Sequence, residues 1–285
     1  PFVVPSAVRT MSMYKSHDLL VKDKQIEASD LFYANGLWNN FHFHSRYSHP
    51  IQQTALTGMN ESLANASRKL RSASHLFLTF GTSWIYREKV HNTIVGNCHK
   101  LPADRFSRER LTVEDMTNQW IEKLDQLFSF QPDLCVVLTV SPIRHFKDGS
   151  FENQVSKSGL FLLIDHLLSH FGKEKISYFP SYEIIMDELR DYRFYAPDML
   201  HLSEVATAFV QEKFNEVYLD KESREISFTV DKIVKSLEHK PFHGENSSYQ
   251  DLLSRLEQEV SILTKNHPGL DLNDLIIDIV QKKRV

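Results

Sequence analysis

Three times in this chain a segment with helically spaced apolar residues runs into a short, continuously apolar segment, and that recurrence narrows the available folds more than any other feature. Leu56, Met59, Leu63, Ala66 and Leu70 keep helical spacing between Thr54 and Arg71 and lead into His75–Phe80. Met116, Trp120, Leu124 and Leu127 repeat the pattern between Val113 and Phe130, ahead of Leu134–Val140. A third unit runs from Val155 to Phe171 into Ile176–Phe179. Helices alternating with short apolar strands point to the α/β class, with a mostly parallel sheet covered on both faces and right-handed crossovers. In such sheets the ligand crevice lies beyond the carboxyl ends of the strands. That rule selects three loops: Gly81-Thr82-Ser83-Trp84, Ser141-Pro142-Ile143-Arg144-His145 and Pro180-Ser181-Tyr182.

The residues able to do chemistry each admit a functional and a plain reading. Asp198 stands three places ahead of His201, before a helical pattern through Val205, Phe209, Phe214 and Val217 that Ser203 is placed to cap. Such a pair either caps a helix at the surface or holds one imidazole nitrogen as N–H, leaving the other to take a proton from a nucleophile. The Gly81 and Thr82 amides, or the Thr82 hydroxyl, are placed to hold an oxyanion, or else form a tight turn. Ser141 ends its strand but lacks the Gly-x-Ser-x-Gly setting of a nucleophile elbow. Arg144 and His145 either bind a polar or anionic part of a substrate or pair with Asp148. Cys98, beside His99 and Lys100 in the loop Ile94–Pro102, is a reactive thiol or a small buried residue, and Cys135 belongs to the core. Asn35-Gly36 signals a turn before a strand alternating from Trp38 to His44, whose histidine-bearing face either ligates a metal through His42, His44 and His49 or hydrogen-bonds in a pocket wall.

Composition excludes several partners. The chain has 285 residues, 41% hydrophobic and 25% charged, with a formal charge of -4. Its Lys and Arg are scattered among acids, which leaves no basic face for nucleic acid and no polybasic membrane anchor. No apolar run approaches the roughly 20 residues that span a bilayer. Two cysteines make no disulfide framework, so the expected setting is reducing and aqueous, read here as cytoplasmic. The opening Pro1-Phe2-Val3-Val4, without methionine, fits a processed precursor or a fragment. Beyond Asp220 the composition shifts, which divides the chain into residues 1–220 and a helical extension, 221–285. Tyr249 to Leu263 and Leu270 to Val280 are amphipathic helices needing a partner, either the first domain or a second copy of the chain.

Five segments together resemble the GSCFA family, a branch of the SGNH or GDSL-like hydrolases. They are Asn35-Gly36-Leu37-Trp38 with His44-Ser45-Arg46; Phe80-Gly81-Thr82-Ser83-Trp84-Ile85-Tyr86; Asn97-Cys98-His99-Lys100-Leu101-Pro102; Val140 through Gly149; and Asp187 through His201. The resemblance covers roughly residues 1 to 218 and implies a flavodoxin-like three-layer α/β/α sandwich. It implies that Asp198 and His201 are the Asp and His of a Ser-His-Asp triad and that Gly81 and Thr82 bind the oxyanion. His44, Arg46, Asn97, His99, Arg144 and His145 would line a pocket for a small polar or carbohydrate-like ester, with no metal or organic cofactor. The chain departs from the family at the block that names it: Gly-Ser-Cys-Phe-Ala, which supplies the serine, should lie upstream of an Asn-Pro-Phe-Gly segment. Here the chain opens Pro1-Phe2, with Val3 at the glycine's place. The expectation is therefore a hydrolase domain whose first strand and nucleophile are missing, inactive by itself. The alternative is a ligand-binding or scaffold domain derived from a hydrolase.

Overall fold

The computed structural model describes residues 2–3, 20–21, 24–238 and 247–283. They divide into two compact units, Pro1–Val210 and Gln211–Val285.

The first unit is α/β. Its parallel sheet has the order β1 (Phe2–Val3), β4 (His75–Phe80), β8 (Cys135–Val140), β9 (Ile176–Tyr178). His75 lies opposite Cys135 and Phe80 opposite Val140, so β4 and β8 end level with each other. Leu76, Leu78 and Phe80 share one core with Val136, Leu138 and Val140. The helices α2 (Val113–Phe130) and α3 (Ser150–Phe171) close that core with Met116, Trp120, Leu124, Leu160, Leu163 and Leu167, all essentially buried. Strand residues of opposite parity, Phe77 and Val137, are buried too, as continuous apolar runs require. The helix α1 (Gln52–Arg71) contributes Leu70 to this core, while its Ala55 and Met59 pack with Ile26, Leu31 and Phe43.

Two small antiparallel sheets complete the unit. The strands β2 (Phe32–Ala34) and β3 (Leu37–Asn39) form a hairpin whose Asn35 and Gly36 both have positive φ, the geometry a two-residue turn demands. The strand expected from Trp38 to His44 stops at Asn39, because the Asn40 side chain accepts the His42 amide at 2.8 Å and bends the chain away from the sheet. Between β4 and α2 lie β5 (Trp84–Glu88), β6 (Thr93–Val95) and β7 (Phe106–Arg110), with β5 in the centre. The stretch read as a loop from Ile94 thus begins inside a strand.

The second unit is helical. The helices α5 (Lys221–Glu238), α6 (Ser247–Asn266) and α7 (Asn273–Lys283) bury Ile233, Leu237, Leu253, Leu256, Val260, Leu272 and Ile279 in one cluster. The apolar faces of α6 and α7 therefore find a partner within their own unit. The breaks expected near Pro241 and Gly244 fall outside the described residues. No helix among the described residues is long and apolar enough to cross a membrane.

Candidate functional site

The segment from Asp191 to Ser203 is a tight hairpin-like loop ahead of α4 (Glu204–Tyr218). Tyr195 bridges Leu202, the Ala196 amide donates to the His201 carbonyl at 2.8 Å, and the Ser203 amide donates to the Phe194 carbonyl at 2.9 Å. The Ser203 hydroxyl accepts the Ala206 amide at 3.3 Å, capping the helix. At the loop's tip Asp198 builds the turn and holds the histidine together. Its Oδ1 accepts the Leu200 and His201 amides at 2.9 Å each, and its Oδ2 lies 2.5 Å from His201 Nδ1. The His201 ring, then the His201 and Leu200 amides, hold the Asp198 carboxyl down at about 2. Asp198 is thus ionised at neutral pH, so the neutral ring must carry its proton on Nδ1 and keep the Nε2 lone pair available as a base. Both side chains are exposed, His201 at 64% and Asp198 at 47%.

Gly81 lies at the carboxyl end of β4, and its neighbourhood is organised by a buried lysine. Lys157, on α3 and only 2% exposed, donates from Nζ to the Gly81 and Ser141 carbonyls, each at 2.6 Å, and so joins the ends of β4 and β8. Burial pushes its ammonium down to about 7. Because a trans peptide places C=O and N–H on opposite sides, the Gly81 carbonyl's engagement with Lys157 turns the Thr82 amide away from that ammonium. The Thr82 hydroxyl is committed to structure: it lies 3.0 Å from Ser156 Oγ and accepts the Trp84 amide at 3.2 Å. A Cβ added at Gly81 would stand 3.4 Å from His145 Nε2, so the glycine leaves room for that ring.

Arg144 continues the line of contacts toward the dyad. Its guanidinium lies 4.8 Å from the Tyr195 ring centroid and 5.8 Å from that of Tyr192. It borders two cavities. One, of ≈ 200 Å³, also has Ile185, Met186, Arg190 and Tyr195 in its wall. The other, of ≈ 250 Å³, also has Asn153, Gln154, Lys157 and Tyr182. His201 lines neither, but Tyr195 lines the first and sits in the hairpin that holds His201. Gly81 thus lies beside His145, while Arg144, next to it in sequence, lies against Tyr195 of the hairpin that carries Asp198 and His201.

The remaining expected residues gather elsewhere. His44 caps a short 3-10 turn, its Nδ1 accepting the Arg46 amide, and Arg46 bonds Tyr47. His49 Nδ1 likewise accepts the Ile51 amide. Asn97 and His99 belong to a tight turn in which His99 and Lys100 both have positive φ and the Leu101 amide bonds the Cys98 carbonyl. His99 is buried, its Nε2 is 2.8 Å from the Asn40 carbonyl, and burial lowers its pKa. Asn97, Cys98 and His99 line a third cavity, of ≈ 260 Å³, with Tyr86 and Lys147. Among the described residues no three His, Cys, Asp or Glu side chains converge as a metal site would require.

Specific contacts also decide the roles of Asp148, Ser141 and Ser83. Asp148 is the partner of Arg108 on β7, through Nε at 2.6 Å and through Nη2, and the charges of Lys147 and His145 add to the pull on its carboxylate. Ser141 is buried and its hydroxyl accepts the Ile143 amide. Ser83 bonds Ser156.

Sequence pattern alone does not single out Lys157, Tyr192 or Tyr195. A signal for Lys157 exists in the helix period: Asn153, Ser156 and Lys157 continue, in polar residues, the buried stripe of Leu160, Leu163, Ile164 and Leu167. Polar residues on the buried face of a helix at the strand ends mark groups that serve a site or its loops.

The first unit is α/β with a parallel sheet, and it carries an Asp–His pair on an exposed loop. The chain belongs to the GSCFA family, which it matches over residues 6–214; residues 230–283 match the GSCFA domain protein, C-terminal domain. Searches of curated proteins and of solved structures return no match.

Proposed function

We propose that this chain carries the base and the base-orienting acid of an SGNH-type serine hydrolase, built on a flavodoxin-like three-layer sandwich and acting on an ester of a small polar or carbohydrate-like molecule. The observation that carries the reading is the 2.5 Å contact of Asp198 with His201 on an otherwise open imidazole. In this reading the attacking serine is that of a Gly-Ser-Cys-Phe-Ala block, which does not occur in residues 1–285. Its hydroxyl adds to the acyl carbon as His201 Nε2 takes the proton, and the same proton then leaves with the alcohol. Water enters by the reverse route and releases the acid. Amides at Gly81 and Thr82 face the tetrahedral oxyanion, a contribution of about 3 kcal/mol per donor. No step requires a metal or organic cofactor. A chain with two cysteines is too poor in them for a disulfide framework, which supports a reducing, cytoplasmic setting.

Assays of p-nitrophenyl acetate test this. The 285-residue chain should show negligible turnover. A polypeptide that adds the Gly-Ser-Cys-Phe-Ala block upstream should turn over, and His201→Ala should abolish its activity. Inactivity of the longer polypeptide on a panel of esters would favour the ligand-binding domain instead.

A further inference from the structure

The ≈ 250 Å³ cavity beside Arg144 has an unusual balance of charge. Its wall holds the cationic Arg144, the side chain of Lys157 and the polar groups Ser150, Asn153, Gln154 and Tyr182, with no Asp or Glu among the described residues. Glu152, in the first turn of α3, is instead engaged by Arg110 at 3.7 Å. The Arg144 guanidinium lies over the rings of Tyr195 and Tyr192, and among the described residues no carboxylate forms an ion pair with it. A half-buried guanidinium so restrained is arranged to meet an anion from the cavity. Tyr182, whose phenol burial pushes up, remains a neutral donor. The volume suits a single sugar ring and little more.

We infer that this cavity is an anion subsite that binds a carboxylate or phosphate ester carried on a sugar-sized molecule, with Arg144 as the recognition residue. As a statement of substrate class it rests on the hydrolase reading, because Tyr195 links Arg144 to the loop bearing His201. Binding itself needs no catalysis.

The test is titration of the 285-residue chain, by calorimetry or ¹⁵N chemical shifts, with glucuronate, glucose 6-phosphate and glucose. At least one of the two anionic sugars should bind about tenfold or more tightly than glucose. That preference should fade as NaCl rises from about 20 mM to about 500 mM. Arg144→Gln should remove it, and Arg190→Gln, altering the neighbouring cavity, should leave it in place. Preference for glucuronate alone marks a carboxylate site, and for glucose 6-phosphate alone a phosphate site. Equal affinity for all three sugars, or no binding by any, overturns the inference. The wild-type comparison stands even if Arg144→Gln fails to fold. Anion-selective binding together with an inactive serine-bearing polypeptide would sink the hydrolase reading and leave the subsite intact.

Discussion

Lys157 Nζ donates to the Gly81 carbonyl at 2.6 Å and to the Ser141 carbonyl at the same distance, so one buried ammonium ties together the two loops leaving β4 and β8. Methionine at this position would fill the volume but leave two strand-end carbonyls without their donor. Lys157→Met should cost about 2 kcal/mol in urea unfolding.

The same lysine makes stability depend on pH. Its folded value, about 7, lies below its ordinary value of 10.5, so between those limits the unfolded chain binds more protons than the folded one. Stability contributed here should rise with pH from about 7 to about 10.5, and the burial penalty should be fully present below 7. The difference between wild-type and Lys157→Met unfolding free energies across that range checks the sign. A flat difference would contradict it.

Glu88 predicts the opposite limb. It is fully buried on β5, and burial pushes its carboxyl up. The His91 amide, Arg105 and the His91 ring more than reverse that, holding it at about 2. A depressed carboxyl contributes stability above its unfolded value, 4.5, that is lost as pH falls toward 2. Glu88→Gln should lose about 2 kcal/mol at pH 7 and flatten the acid limb between about 4.5 and 2, measured by urea titration at successive pH values.

The elements that could be read from the sequence are those whose pattern is local. β4 and β8 announce themselves as Leu76-Phe77-Leu78 and Val136-Val137-Leu138, and α2 by the spacing of Met116, Trp120 and Leu124. The β6-β5-β7 sheet does not, because its strands carry charges whose partners lie far off in sequence: Arg87 on β5 with Glu109 on β7, and Glu88 on β5 with Arg105 in the turn before β7. Such pairing depends on contacts distant in sequence and leaves no apolar run to find. At the site, Asp198 and His201 were visible because both partners lie within one turn. The Gly81–Lys157 link spans 76 residues and depends on where α3 crosses the sheet. Asp148 illustrates the same limit: its hydrogen-bond partner is Arg108, 40 residues away in sequence.

Asp198→Asn separates the two tasks of that side chain. An amide oxygen can still accept the Leu200 and His201 amides, so the loop and the unfolding free energy should change little, as befits exposed groups. The charge that fixes the imidazole tautomer is lost. In the serine-bearing polypeptide kcat should therefore fall by about 10³ to 10⁴ with little change in KM.

The account's central claim is that His201, held by Asp198, activates a serine. Labelling of the serine-bearing polypeptide by a fluorophosphonate measures that activation without any assumption about substrate. Rapid stoichiometric modification of the serine in the Gly-Ser-Cys-Phe-Ala block, slowed about 10³-fold or more by His201→Ala, is the predicted result. An equal labelling rate in the His201→Ala protein would contradict it.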